Sequence, residues 1–273
     1  MSTDIERLAM TQSVSPETRS WADRGTDVLT SDTLQQLMDN LVPYIRLPGF
    51  AGKAACDALA DCVVNAAFGS YRGVEPRIDR MGCTVFEYDA VGKGDYFAAS
   101  RLAAEARDRL FLVSFDPLDM MIRLLSGNTG RRTSVAKSRA GQSYYAGLFR
   151  RIVQGTKLHV DYAPAEQRGW EICDVKHQLT WNLYLKVDGG SSGHTTVYCR
   201  QWRPEDNRFK EGSYGFNREV VAGSEHATFQ PAVGEVVLFN TKNYHEVVPS
   251  LGDRITVTSA IGETSQGDLI LWS

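Results

Sequence analysis

Hydrophobic positions in the first half of the chain recur with the spacing of α-helices. In the segment SDTLQQLMDNLVPYI the apolar residues from Leu34 to Leu41 fall three or four positions apart, which places them on one face of a helix. Ser31 or Asp32 at its start is a suitable N-cap. Three more helices are predicted, at 52–68, at 95–111 with Asp95 as cap, and at 114–127 with Pro117 in the first turn and Gly127 as the stop.

The pattern changes near residue 142 to short runs that are rich in β-branched and aromatic residues. Turn-forming stretches such as DGGSSG, PAVGE and SLGD separate these runs, and no long helical pattern lies between them. Many short strands of this kind are typical of a sandwich or a jelly roll. The predicted strands are SYYAGLFRRIV, TKLHVDY, QLTWNLYLKV, HTTVYCRQW, EVVLFN, HEVVPS and RITVTSAIGE, and CTVFEYDAV in the first half also reads as extended.

These patterns predict an α+β fold in which helices pack on one face of a double-stranded β-helix, the jelly-roll or cupin-like barrel. The chain of 273 residues has no internal repeat and no low-complexity linker, so we expect one domain over 1–273. Its predicted parts are a polar arm at 1–30, a mainly helical support at 31–141 and the jelly-roll core at 142–263.

Composition and charge remove several classes of function. The formal net charge is −3 and no basic stripe runs beside exposed aromatic residues, which argues against a nucleic-acid partner. No run of 18 apolar residues predicts a membrane span, and the N-terminal segment lacks the apolar core of a secretory signal. The five cysteines have irregular spacing without a CxxC, so we expect a cytoplasmic protein with reduced thiols.

Candidate chemistry begins at KLHVDYAP, where His159 and Asp161 stand two residues apart in a predicted strand. Alternate residues of a strand share a face. His245 follows at the end of PAVGEVVLFNTKNYHEVVPS, and in a jelly roll it can complete a triangle with the first pair. Two imidazoles and one carboxylate on one face are the ligand set of non-haem Fe(II) oxygenases.

A second pair follows in GDRITVTSAI, where Arg254 lies nine residues beyond His245 and Thr256 two further on. An arginine and a hydroxyl on one inward face can hold a carboxylate. Each feature alone has a structural explanation, because His-x-Asp occurs in ordinary strands and Arg254 could bind Glu235 or Glu246. The order and spacing of all five residues together favour an iron site.

These motifs resemble those of the Fe(II)/2-oxoglutarate-dependent oxygenases, over roughly residues 140 to 263. The resemblance implies that His159, Asp161 and His245 hold Fe(II), and that Arg254 and Thr256 hold the distal carboxylate of the co-substrate 2-oxoglutarate. The strand LTWNLYLK resembles a strand whose tyrosine donates to that carboxylate, which implies a role for Tyr184 with Thr180 nearby. His194, in SGHTTVY, stands where the family commonly has a Glu or another polar residue, and it is interpreted as a non-ligand.

Two stretches, DYFAASRLAAEARDRLF and YYAGLFRRIVQGTKLHVDY, resemble carrier-independent small-molecule halogenases and related hydroxylases of N-substituted amino acids. This resemblance implies a small free substrate, O2 as the oxidant, and succinate and CO2 as co-products. Such halogenases carry a small residue where Asp161 stands here, leaving a coordination position for chloride. The carboxylate of Asp161 therefore implies oxygenation, most simply hydroxylation of an unactivated C–H bond in a small metabolite.

The substrate-binding residues are predicted from aromatic and arginine-rich segments. The segment 199–220 is expected to form the variable wall of the site, and the start of the third helix and the strand near 144 supply further aromatic side chains. The candidates are Arg200, Trp202, Arg203, Tyr96, Phe97, Tyr144 and Tyr145.

Several alternatives stay open at this point. The same iron chemistry gives desaturation or ring closure as well as hydroxylation. A cupin-like metal enzyme without 2-oxoglutarate, or a non-catalytic jelly-roll binding module, are the interpretations from other classes. A small molecule is the expected partner, and a homodimer is a possible assembly.

Overall fold

Two antiparallel sheets form the centre of the computed structural model, which describes residues 19–66 and 68–273. The strands are β1 (Ile45–Leu47), β2 (Gly69–Ser70), β3 (Asp79–Met81), β4 (Thr133–Val135), β5 (Leu148–Arg151), β6 (His177–Val187), β7 (Thr195–Gln201), β8 (Lys210–Glu211), β9 (Gly215–Phe216), β10 (His226–Phe229), β11 (Val236–Asn240), β12 (Asn243–Val247), β13 (Arg254–Glu263) and β14 (Leu269–Trp272). The larger sheet has the strand order β1-β11-β6-β13-β5-β3-β2, extended by β14 beside β13 and by β4 parallel to β14. The smaller sheet has the order β10-β7-β12, and β8 pairs with β9.

The helices lie mainly in the first half of the chain. They are α1 (Ser31–Met38), α2 (Lys53–Val64), α3 (Lys93–Phe111), α4 (Pro117–Thr129) and α5 (Ala163–Glu166), with short 3-10 helices at Trp21–Arg24, Val85–Tyr88, Glu171–Asp174, Pro204–Phe209 and Arg218–Val221.

The alternation of β6 explains how the sheets and helices are layered. Trp181, Leu183 and Leu185 point to the helical side and pack with residues of α1, α2 and α4. Tyr184 points the other way and packs with residues of both sheets, including Val197 of β7. Since alternate residues of a strand face opposite sides, one strand serves both the helical layer and the barrel interior. The predicted α+β jelly roll with helices on one face is confirmed.

Some predicted boundaries were wrong in instructive ways. The third helix begins at Lys93 after Gly92 rather than at Asp95. The fourth passes through Gly127 and ends at Thr129, because Gly130 adopts the left-handed conformation (φ +68°) that stops a helix. The second ends at Val64, before the predicted 68.

Two predicted strands take other forms. The segment CTVFEYDAV contains the 3-10 helix Val85–Tyr88 in place of an extended run. TKLHVDY forms no regular strand, and its pairing consists of a single bridge between His159 and His245. The supposed helical support also contributes β1 to β4 to the sheet, and β14 lies beyond the predicted end of the barrel core.

The predicted polar arm at 1–30 lies partly outside the described residues. From residue 19 onward, Trp21 is buried, its main-chain N–H donates to Glu225 at 2.8 Å, and its indole N–H donates to the carbonyl of Asn40 at 3.0 Å. This part of the arm is therefore docked on the barrel. Among the described residues, no helix is both long and apolar enough to cross a bilayer.

Candidate metal centre

A cluster of two histidines and one aspartate lies where two distant segments meet. His159 and His245 exchange two main-chain hydrogen bonds of 2.9 Å, and the amide of Asp161 donates to the carbonyl of Thr241 at 3.0 Å. These three bonds join the loop after β5 to the region of β12. The imidazole centroids are 4.2 Å apart as a result.

The ligand atoms of this His–Asp–His cluster converge on one point. The Oδ2 atom of Asp161 lies 3.9 Å from Nε2 of His159 and 3.8 Å from Nε2 of His245. One ligand atom from each residue lies within 4.8 Å of the others, and no other such group occurs in residues 19–66 and 68–273. Metal–ligand bonds are about 2.1 Å long, so small side-chain rotations bring all three atoms onto one ion.

Main-chain carbonyls set the orientation of both rings. Nδ1 of His159 lies 2.8 Å from the carbonyl of Lys157, and Nδ1 of His245 lies 2.9 Å from the carbonyl of Asn243. Because a carbonyl only accepts, each Nδ1 carries the proton and each Nε2 keeps its lone pair for a metal. The edge-to-face ring of Tyr214, with centroids 5.3 Å apart, supports His159 from the side.

The protonation states suit metal binding. Burial and the neighbouring His245 together lower the pKa of His159 to about 4. Burial raises the pKa of Asp161, but the two imidazoles and the Arg150 guanidinium outweigh it and hold that pKa well below the usual range. His159 is therefore neutral and Asp161 ionised near pH 7, which are the forms that bind a divalent metal.

Arg254 lies in the barrel interior, and none of the described residues is its acidic partner. It is 3% exposed; its Nε donates to the carbonyl of Gly193 at 3.2 Å, and its Nη2 donates to the hydroxyls of Thr195 at 3.1 Å and Tyr184 at 3.3 Å. Burial lowers the pKa of this guanidinium. A charge buried in this way is stable only with a counter-ion.

The two glutamates that could have neutralised Arg254 are engaged elsewhere. Glu235 binds Arg46 at 2.5 Å, and Glu246 binds Arg218 at 2.5 Å. Beside Arg254, the hydroxyl of Thr256 is buried and has no hydrogen-bond partner among the described residues. The carboxylate of a ligand fits this position, because it can pair with the charge of Arg254 and accept a hydrogen bond from Thr256.

The strand register places this Arg254 pocket (Arg254, Thr256, Tyr184 and Thr195) in the same barrel as the His–Asp–His cluster. Thr256 pairs with Tyr184 across β13 and β6. His245 pairs with Val197 across β12 and β7, and Thr195 lies two residues from Val197 on the same face. Alternate residues of a strand are about 6.6 Å apart, so one small dianion can reach from the pocket to the cluster.

A cavity of about 530 Å³ opens above the cluster. Its size is within the range of small-molecule sites. Its wall includes His159, Asp161, Thr180, Trp202 and Arg150, and it does not include the Arg254 pocket, which lies deeper in the barrel. Other lining residues are Tyr71, Phe86, Glu166, Asn207, Lys210, Tyr214, Phe216 and Trp272.

The structure does not bring Thr180 to the carboxylate pocket. On β6 it pairs with Ala260 of β13, whereas Arg254 pairs with Val187, seven residues further along β6. Its hydroxyl lies 3.2 Å from both the hydroxyl of Thr258 and the carbonyl of Ser259. Thr180 therefore lines the cavity and does not lie beside Arg254, and its contact with 2-oxoglutarate stays a prediction.

Of the three candidates in the variable wall, only Trp202 lines the cavity. Arg200 binds Asp206 at 2.7 Å and stacks on the ring of Tyr244 at 5.9 Å, so its charge is already neutralised. Arg203 is exposed and is not part of the cavity wall. The segment contributes to the cavity wall, but the two candidate arginines, Arg200 and Arg203, do not.

The remaining candidates form a second hydrophobic core. Tyr96, Phe97, Tyr144 and Tyr145 are 0–6% exposed and pack with Trp170 in what we call the aromatic cluster. Ring centroids 5.1 to 6.4 Å apart, mostly edge to face, join Tyr96, Phe97, Tyr144 and Trp170. None of these rings lines the cavity, so the structure places the predicted substrate residues in a core.

Sequence reasoning overlooked Arg150, Tyr71 and Glu166. Arg150 was visible in the run LFRRI, because one of two adjacent arginines in a buried strand has to face inward. Tyr71 comes from a loop with no regular pattern. Glu166 lines the cavity, and although it is exposed, desolvation by the surrounding protein and the charge of Asp161 raise its pKa to about 7.

Residues 73–271 match the family described as the carrier-protein-independent halogenase WelO5. The Leucinostatins biosynthesis cluster protein S of Purpureocillium lilacinum is 35% identical over 227 residues, 73% of this chain and 87% of that protein. The L-gamma-glutamyl-L-propargylglycine hydroxylase of Streptantibioticus cattleyicolor is 30% identical over 251 residues, 88% of this chain and 91% of that protein.

Among solved structures, a dioxygenase of N-substituted L-amino acids from Burkholderia ambifaria superposes with a TM-score of 0.60 at 14% identity. The alignment covers 89% of this chain and 91% of that one. At this identity the likeness concerns the fold, and it agrees with the jelly roll described above.

Proposed function

Because the chain belongs to the WelO5 family of Fe(II)/2-oxoglutarate-dependent oxygenases, we propose that it is a dioxygenase that hydroxylates an unactivated C–H bond of a small metabolite. The observation that carries this proposal is the pairing of a complete His–Asp–His cluster with a buried Arg254 that has no counter-ion among the described residues. The His–Asp–His cluster suits a metal, and Arg254 suits a carboxylate of the co-substrate.

In this proposal His159, Asp161 and His245 hold Fe(II), and Arg254, Thr256 and Tyr184 hold the distal carboxylate of 2-oxoglutarate. Fe(II) and 2-oxoglutarate, when bound together with O2, supply the oxidising power for C–H cleavage, with succinate and CO2 as co-products. The protein positions the substrate carbon over the cluster and excludes water from it. Carbonyls of Lys157 and Asn243 keep Nε2 of each histidine free for the metal.

Asp161 favours hydroxylation over halogenation. Its carboxylate points between the two imidazoles, 3.8 and 3.9 Å from their Nε2 atoms. An ionised carboxylate there takes up a coordination position and adds negative charge, and both effects oppose chloride on the metal. The chain therefore differs from a halogenase at the residue that decides between the two chemistries.

The cavity suggests the size of the substrate. A volume of about 530 Å³ accommodates a molecule the size of a dipeptide. A hydroxylase that is 30% identical acts on a γ-glutamyl amino acid according to its name. We propose an amino acid acylated on its nitrogen as the substrate class.

Two experiments test the function. Anaerobic addition of Fe(II) and then 2-oxoglutarate is expected to give a weak visible charge-transfer band, and its absence would argue for a cupin-like enzyme without 2-oxoglutarate. Aerobic reactions in chloride and in bromide buffer, followed by mass spectrometry, are expected to yield a hydroxylated product in both. A halogenated product from the unmodified enzyme would contradict the role of Asp161, and a loss of two hydrogens would indicate desaturation or ring closure.

A further inference from the structure

Three neighbouring arginines differ in their partners. Arg80 of β3 and Arg150 of β5 pair across the sheet, so their side chains share a face. Arg80 binds the carboxylate of Glu87. Arg151, on the opposite face of β5, binds Asp253 at 2.6 Å. Arg150 makes no salt bridge with any residue in 19–66 or 68–273; its guanidinium lies against the hydroxyl of Tyr71, and its buried Nε has no hydrogen-bond partner among these residues.

The environment of Arg150 contains a second buried polar group without a partner. The hydroxyl of Tyr71 is buried and has no hydrogen bond of good geometry among the described residues. Burial raises the pKa of Tyr71, whereas the charge of the adjacent Arg150 lowers it. Arg80 stacks on the Tyr71 ring at 5.4 Å and holds the ring in place. Buried donors of this kind nearly always have an acceptor, so a ligand is indicated.

Both donors face the cavity that holds the His–Asp–His cluster. Arg150 and Tyr71 line its wall together with His159 and Asp161. Asp161 is the nearest acid, but its Oδ2 lies between the two imidazoles, and no salt bridge to Arg150 forms. The missing acceptor is therefore expected to be an anion that enters the cavity.

The proposed position of the co-substrate leaves Arg150 available to a further anion. In the proposed function, one carboxylate of 2-oxoglutarate occupies the Arg254 pocket and the other lies at the metal. Arg150 pairs with Thr256 across β5 and β13, so their side chains share a face, but Arg150 lines the open cavity together with Tyr71, whereas Arg254 and Thr256 do not. An anionic group of a substrate that enters this cavity is therefore the partner that suits Arg150.

We propose that Arg150 and Tyr71 bind a carboxylate of the substrate and thereby turn the carbon to be oxidised toward the His–Asp–His cluster. This inference rests on the proposed function and assigns the residues that recognise the carboxylate of its substrate class. Arg150 acts as a specificity-determining residue, because a neutral analogue of the same shape leaves the buried guanidinium without an acceptor.

The test measures binding without turnover. Protein loaded with Zn(II) and saturating 2-oxoglutarate is titrated calorimetrically with N-acetyl-L-leucine and with N-acetyl-L-leucinamide, which differ by one charge. The acid is expected to bind at least about tenfold more tightly than the amide, since a charge-assisted hydrogen bond is worth about a tenfold to hundredfold change in affinity.

Variants assign the preference to its residues. Arg150→Met is expected to abolish the preference for the acid while leaving the affinity for 2-oxoglutarate within about twofold. Tyr71→Phe is expected to lower the affinity for the acid about threefold to tenfold. Arg151→Met, the matched control on the other face of β5, is expected to keep the full preference. Zinc content and thermal unfolding show whether each variant is folded. If Arg150→Met does not fold, Arg150→Lys and Tyr71→Phe test the proposal in its place. Both are expected to lower the affinity for the acid and to leave the affinity for the amide unchanged.

The proposal is overturned if the unmodified protein binds the two probes equally or does not bind the acid. It is also overturned if folded Arg150→Met keeps the preference, or if it loses affinity for 2-oxoglutarate instead. Failure of the proposed function looks different: the Fe(II)-loaded protein then forms no succinate although selective acid binding is intact. Equal turnover of acid and amide would leave the proposed function standing and remove the role of Arg150.

Discussion

The barrel interior and the aromatic cluster are both buried and both rich in side chains that can bind ligands, yet they differ in how their polar atoms are satisfied. In the aromatic cluster, the hydroxyl of Tyr144 donates to Glu171 at 2.6 Å, and the hydroxyls of Tyr96 and Tyr145 each bond to a main-chain carbonyl. In the barrel interior, Thr256 and Arg150 keep buried polar atoms without partners in the described part of the chain.

This difference distinguishes a core from a site. The tyrosine hydroxyls of the aromatic cluster are satisfied, because an unpaired buried polar group costs free energy. A binding site leaves specific groups unpaired until the ligand arrives. Residue type alone suggested a substrate role for both regions, and the hydrogen-bond partners and the cavity wall separated them.

The largest effect is expected from the His–Asp–His cluster. His245→Ala and Asp161→Ala each remove one of three ligands, so bound iron and substrate-dependent succinate formation should fall by about two orders of magnitude or more, given the roughly 10²-fold losses that follow when a catalytic group is misplaced. His226→Ala, a histidine exposed on β10, serves as the matched control and should keep full activity. Turnover above a few per cent in both cluster variants would contradict the assignment.

The aromatic cluster should respond in stability instead of activity. Phe97→Ala removes a buried ring, and we expect the free energy of unfolding to fall by about 3–5 kcal/mol. The turnover of the folded enzyme should stay within about twofold. Urea unfolding measures the first quantity, and steady-state kinetics at low temperature measures the second. Leu112→Ala, at a position 87% exposed just after α3, should cost less than about 0.5 kcal/mol.

Arg254 and Arg131 test the same comparison more directly, because Arg131 has a carboxylate partner within the protein and Arg254 has none among the described residues. Arg254→Met should raise the dissociation constant of 2-oxoglutarate about tenfold to hundredfold, with metal content unchanged and the free energy of unfolding within about 1 kcal/mol, because no carboxylate is left unpaired. Arg131 binds Glu263 at 2.9 Å, so Arg131→Met should destabilise the protein while leaving that dissociation constant unaltered. Equal effects of both variants on 2-oxoglutarate binding would refute a special role for Arg254.

The smallest effects concern two glutamates with opposite pKa shifts. Burial tends to raise the pKa of Glu171, but hydrogen bonds from Tyr144 and Lys93 outweigh it and lower that pKa to about 2. Ionised Glu171 therefore stabilises the fold above about pH 4.5, and this contribution is lost as the pH falls toward 2. Glu171→Gln should lower Tm by about 2–4 °C at pH 7 and have little effect near pH 2.

Glu166 should show the opposite sign. Desolvation and Asp161 raise its pKa to about 7, and Tyr162 and Lys210 oppose them only in part. The folded protein thus holds a proton that the unfolded chain releases near pH 4.5, so stability falls as the pH rises toward 7. Glu166→Gln should raise Tm slightly at pH 8 and leave it unchanged at pH 4, in ligand-free protein. Thermal unfolding across the pH range checks both variants, and matching signs would contradict this account.

The sequence was informative where local spacing determines geometry. Alternation along β6 and β13 predicts the layered fold, and the spacing of Arg254 and Thr256 predicts that they share a face. The position of His159 beside His245 required the jelly-roll topology in addition. Register explains the misplaced residues: Thr180 lies on the same strand as Tyr184 but seven positions from the residue opposite Arg254. The inward position of Arg150, and the outward position of Arg151, also depend on how β5 pairs with its neighbouring strands, which no local sequence pattern specifies.

The bridge between His159 and His245 has an evolutionary consequence. Two main-chain hydrogen bonds hold these residues together, so their relative position depends little on the side chains of the segment between them. That segment includes Trp202, Asn207, Lys210 and Phe216 of the cavity wall. Substitutions there can change which molecule is accepted while the histidines stay in place. Selection for new substrates and preservation of the reaction can therefore act on separate sets of residues.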